Sequence, residues 1–137
     1  MHVEWAVNCG TITEAALGYD LTTAGVTGYI ASGDEIPCDM LIHALVCFRC
    51  EPTDWTGVVY DFWTEVIGPD GEAQPRVPFR VMQGADTSPQ LTDIERHFMP
   101  LTILVTVTTD GQYAVVFGDS VSHRYEMPIR VSVLSGL

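Results

Sequence analysis

Apolar and polar residues alternate with a period of two along most of the chain, and the 3.6-residue period of an amphipathic helix is weak. Val3, Trp5, Val7 and Cys9 share one parity near the start, with Glu4 and Asn8 on the other. Leu21 to Ile30 reads as a strand with bulges or close backbone approaches at Gly25 and Gly28. Met40 to Cys50 is apolar on both parities: Ile42, Ala44, Val46 and Phe48 on one, Leu41, Leu45 and Cys47 on the other. A strand of that kind is central in a sheet or lies at an interface. Val58, Tyr60, Phe62 and Val66 then alternate with Asp61 and Glu65. Val77, Phe79 and Val81 alternate with Arg76 and Arg80, where Pro75 and Pro78 mark an edge strand. Leu101 to Val107, Tyr113 to Phe117 and Tyr125 to Val133 complete the series.

Turn chemistry separates these runs. Gly68-Pro69-Asp70-Gly71 combines a fixed φ with a residue tolerant of positive φ. Asp110-Gly111 is the strongest hairpin signal, and Gly118-Asp119-Ser120 turns the chain into its last strand. Gln83 to Pro100 is the longest break. Within it Thr92-Asp93-Ile94-Glu95 fits a capping box and predicts a short helix near 92–98. The expectation is all-β: one domain over 1–137, an antiparallel β-sandwich of seven or eight strands, with a closed barrel as runner-up.

The layout resembles a bacterial family of small immunoglobulin-like β-sandwich proteins of unknown function. The pieces that carry the resemblance are Gly68-Pro69-Asp70-Gly71, Gly111-Gln112-Tyr113 and Pro128-Ile129-Arg130-Val131. The resemblance spans most of the chain except Gln83–Pro100, implies a sandwich, and brings no catalytic residues with it.

Composition changes the picture in three ways. The formal charge is −12, and all six basic residues are arginine. So few scattered cations make no phosphate-binding patch, and a nucleic-acid partner is excluded. Without lysine there is no Schiff-base chemistry and no phosphate-loop lysine. Only 18% of residues are charged, below the ~25% of an average soluble domain, so some apolar surface is expected to meet a partner. No basic-then-apolar leader opens the sequence, and the apolar run Met40 to Phe48 is far short of the ~20 residues of a membrane span. The expected setting is the cytoplasm, or a virion for a phage-encoded chain, with no membrane partner.

Candidate chemistry is sparse. Cys47-Phe48-Arg49-Cys50 has C-x-x-C spacing, and Cys9 and Cys38 would complete a four-thiolate zinc set. In a continuous strand, however, Cys47 and Cys50 point to opposite faces, which favours core thiols. His43 and Cys47 share a face but stand about 13 Å apart at strand rise, too far for a nucleophilic pair. Asp34, Glu35 and Asp39 are an acidic loop cluster that would need further oxygens to hold calcium. Cys38, His97 and Asp119 are the further participants in a metal or small-molecule site at that loop end. No cofactor is expected.

The reading that follows is a non-catalytic binding or assembly module, a homo-oligomer that self-associates through an apolar sheet face and also accommodates a protein partner. Leu41, His43, Leu45 and the turn residue Trp55 are its contact residues. The alternatives are a metal- or small-molecule-binding sandwich with an acidic loop-end site, and a phage or phage-defence structural protein.

Overall fold

The alternating pattern becomes ten strands: β1 (His2–Cys9), β2 (Thr11–Ala15), β3 (Gly18–Thr22), β4 (Gly28–Ser32), β5 (Cys38–Cys50), β6 (Val59–Ile67), β7 (Val77–Met82), β8 (Glu95–Val107), β9 (Gly111–Asp119) and β10 (Arg124–Leu134). The structure is a computed structural model and describes residues 1–16, 18–26, 28–51, 59–82 and 95–135. It is all-β, and no described residue is helical. The strands number ten rather than seven or eight, partly because 11–22 folds back on itself as a separate hairpin.

The helix expected near 92–98 does not form over its described part. Glu95 to Phe98 open β8 and pair with Cys50 to Cys47 of β5, so strand pairing overrides the local capping signal. Residues 92–94 lie outside the described residues.

Three sheets result: β1-β5-β8, β4-β10-β9-β6-β7, and the two-stranded β2-β3. All pairings are antiparallel except β10 with β4, which is parallel. The two larger sheets share one apolar core. Val3, Ile42, Val46, Phe48 and Val105 enter it from the first, and Phe62, Tyr113, Val115, Phe117, Ile129 and Val131 from the second. Phe48 meets Phe62 edge-on across the sheets, at 4.9 Å between ring centroids. The parity of these residues follows the sequence pattern.

Two local features depart from that pattern. Val3 pairs with Phe48, but Trp5 rather than Glu4 pairs with Cys47, so Glu4 is the extra residue of a β-bulge. Beyond the bulge the parity reverses. Val3 is in the core, whereas Trp5, Val7 and Cys9 face away from it, correcting the expectation that all four share a face. The second departure is Asp110-Gly111, which is not a hairpin turn. It carries the chain from β8 in one sheet to β9 in the other. Gly111 has φ of 146° and packs so closely on Pro69 that a Cβ there would stand 2.7 Å from the proline Cγ.

Tyr113, at the start of β9, secures this crossing. Its hydroxyl accepts the N–H groups of Thr108 and Thr109 and donates to the carbonyl of Thr109 at 2.8 Å. A buried phenol thereby gains the partners it needs, and the corner is held in one conformation.

Candidate functional site: the outer face of the three-stranded sheet

β5 is the middle strand of its sheet, so its odd residues have neighbours on both sides facing away from the core. Register places them in rows: Trp5–Cys47–Phe98, Val7–Leu45–Pro100, Cys9–His43–Thr102, and Leu41–Leu104. Across these four rows the only charged side chain is Glu4, set beside Trp5 by the bulge. Arg49 and Arg96 close one end and Asp39 closes the other, where it accepts the Thr106 hydroxyl at 2.8 Å. The exposed apolar positions are Leu41 (63%), Leu104 (54%) and Phe98 (44%).

The rows are built differently from end to end. The rings of Trp5 and Phe98 approach to 5.7 Å from the strands on either side of Cys47, which is fully buried beneath them. Glu4 receives two hydrogen bonds from Arg96, at 2.6 and 3.0 Å, and lies 3.6 Å from Arg49. The Arg96 hydrogen bond holds the Glu4 carboxyl below its ordinary pKa. Burial, with Glu4 nearby, pushes the Cys47 thiol up to about 11. That is an inert thiol. At the other end Thr11 and Ile12 of β2 cross to the sheet and, with His43, Pro100, Leu101 and Thr102, border a groove of about 490 Å³. His43 Nδ1 is 3.2 Å from the Thr102 hydroxyl.

The outer face of the five-stranded sheet contrasts with this one. Arg76 pairs with Glu65 at 2.8 Å and Arg80 with Asp61 at 2.9 Å, both across β6 and β7 or their ends. Arg76 also lies 3.8 Å from the centre of the Trp63 ring. Its charges neutralise one another on the same surface.

Of the expected contact residues, Leu41 is exposed and His43 half-buried on the outer face of β5. Leu45 points the same way but is buried between Val7 and Pro100. Trp55 lies outside the described residues. Sequence reasoning missed Phe98, Pro100 and Leu104. The first two sat in a segment assigned to a break and a helix, although their even parity continues that of Leu104.

None of the four cysteines is in a disulfide, and they are spread along the sheet. Cys47 faces outward and Cys50 is buried on the opposite parity, while Cys9 and Cys38 lie towards the far end of β5. Asp34 and Glu35 are exposed between β4 and β5. Among the described residues no three His, Cys, Asp or Glu side chains come close enough to hold a metal ion. Cys38 and His97 do not share a site either: Cys38 pairs with Val107, ten residues along β8 from His97, or about 33 Å at strand rise.

A different set gathers at the other end of the molecule. Asp119 Oδ1 accepts the backbone N–H groups of Val121, Ser122 and His123 at 2.9 to 3.1 Å, and its Oδ2 lies 3.1 Å from His123 Nδ1. The His123 ring stacks on that of His2, with centroids 4.7 Å apart and planes 17° from parallel. These residues border a cleft of about 470 Å³ with Tyr60 and Asp61. No helix among the described residues is long and apolar enough to cross a membrane.

Comparison with protein-family models, curated proteins and solved structures gives no match to this chain.

Proposed function

We propose that this chain is a non-catalytic assembly module, an immunoglobulin-like β-sandwich that self-associates through the outer face of the β1-β5-β8 sheet. Support for the sandwich comes from the single core shared by the two larger sheets. Their strand orders also correspond to the A-B-E and G-F-C arrangements of immunoglobulin domains, with β4 added beside β10 and β7 beside β6. The Tyr113 corner is a further immunoglobulin-like feature.

The observation that carries the assembly reading is four rows of outward side chains with one charged residue, in a chain of formal charge −12. Like-charged copies repel, and the surface through which they can meet is this one, whose single acid, Glu4, is already paired with Arg96. A second copy is therefore the occupant. Four rows at strand spacing across three strands cover roughly 300–400 Å². A stable interface uses ~800 Å² per partner, so the face alone supports a weak dimer and flanking residues such as β2 must add to a tighter one.

Sedimentation velocity over the micromolar range tests this reading. The native chain is expected to shift from monomer to dimer with concentration, and Leu104→Glu to remain monomeric while keeping its β-sheet spectrum. A native chain that stays monomeric throughout that range overturns it.

A further inference from the structure

His2 belongs to the sheet β1-β5-β8, whereas His123 lies in the turn between β9 and β10 of the other sheet. Their stacked rings join the two sheets beside the cleft. One partner of the stack is held firmly: Asp119 fixes the turn through three backbone N–H groups and orients the His123 ring through Nδ1. The other is anchored through β1, where His2 pairs with Arg49 of β5.

We propose that the His2–His123 stack is a pH-sensitive clasp, closed while His2 is neutral and released when it takes a proton, so that the β1 end separates from the β9–β10 turn and the cleft opens. Stacking a neutral His2 imidazole on a second ring is favourable, whereas holding an imidazolium there, half-buried beside the Met1 amino group and Arg49, is not. The charged and titratable surroundings decide the balance. From its own strand end His2 faces the Met1 amino group. From β5 and the residue after it come Arg49 and Glu51, from the turn His123 and Asp119, and from β6 Tyr60 and Asp61 bordering the same cleft. Burial first, then His123, the Met1 amino group and Arg49, lower the His2 pKa, and Glu51 alone opposes them.

A folded pKa below the unfolded value of about 6.5 means that the unfolded or opened form binds the proton more readily. The clasp therefore contributes fully above that value and is lost as pH falls through the folded pKa of His2. This device is independent of the assembly face.

Two measurements on the intact chain test it. Imidazole resonances followed by NMR are expected to give His2 a midpoint below about 6.5. Amide exchange, corrected for its intrinsic pH dependence, is expected to lose protection at 2–4 and 119–123 on acidification. That loss should be roughly tenfold for each pKa unit by which folding lowers His2. His2→Phe keeps a ring for the stack and removes the titration, so its protection should not vary with pH over the same window. A native His2 midpoint at or above about 6.5 overturns the proposal, whether or not the variant folds. So does an undiminished pH response in His2→Phe.

Discussion

The indole of Trp63 lies over Gly118, its register partner on β9, so closely that a Cβ at position 118 would overlap the ring. Arg76 covers the ring and the indole N–H donates to the carbonyl of Asp119 at 3.3 Å, leaving little freedom to move aside. Gly118→Ala is expected to destabilise the fold by about 1–3 kcal/mol, the range for overpacking a filled site. In urea unfolding, the same substitution in a Trp63→Ala background should cost much less. Equal costs in the two backgrounds would show that the ring does not impose the glycine.

Asp119 gives a second expectation with a defined pH window. Burial raises its pKa, but the three backbone N–H bonds and the His123 bond outweigh burial and hold the carboxyl below the ordinary 3.8. A depressed folded pKa contributes stability that is present above the unfolded value and lost as pH falls through the folded one. Asp119→Asn should therefore destabilise by about 1–3 kcal/mol near neutrality, the cost of charge-assisted hydrogen bonds. The difference from the native chain should shrink below about pH 4. A gap that stays constant down to acid unfolding would assign the effect to geometry rather than charge.

Much of this architecture is legible in the sequence because period-two alternation states which side chains share a face. Ile42, Ala44, Val46 and Phe48 enter the core as their parity predicts. Parity counting fails where the count itself changes. The bulge at Glu4 inserts a residue without any glycine to announce it, and it moves Trp5, Val7 and Cys9 outward relative to Val3. Asp110-Gly111 misleads for another reason: the dipeptide supplies backbone freedom, which an inter-sheet crossing against Pro69 can use as well as a hairpin can. Glu95 to Phe98 carry a local helix signal, and only long-range pairing with β5 makes them a strand. The candidate face was half legible for the same reasons. Leu41 and His43 follow from the two-sided β5, whereas Phe98 and Leu104 belong to a neighbour whose start and register are non-local.

Cys47 bears on reactivity. Its thiol is fully buried beneath Trp5 and Phe98, and its pKa is pushed up to about 11 by burial and by Glu4. The thiolate is the reactive form, so Cys47 should resist a thiol reagent near pH 8 in the folded chain and react on unfolding. Cys38, half-buried at the other end of β5, should react first. Peptide mapping after brief alkylation reads this directly, and prompt native labelling of Cys47 would contradict the closed arrangement of the two rings.

Gln74 stands where a neighbouring strand would otherwise be. Its side-chain amide donates to the carbonyl of Thr106 at 2.9 Å and accepts the Thr106 N–H at 3.2 Å, so it occupies both backbone groups of Thr106 on the side of β8 that pairs with no strand among the described residues. In an antiparallel strand these groups alternate from side to side, so those of Leu104, Thr102 and position 100 point the same way. Position 100 is proline, which has no N–H to offer. A long edge strand is a template for pairing with another chain, and here a borrowed amide and a proline interrupt it. The proposed assembly face is thus separate from an edge that these two residues close to strand pairing. Gln74→Ala should cost about 0.5–1.5 kcal/mol and speed exchange of the Thr106 amide. Combined with Pro100→Thr, which restores a donor, it should produce concentration-dependent aggregation with added β-structure. If the double variant keeps the native assembly state and the Thr106 amide stays protected, the edge is closed by something other than these two side chains.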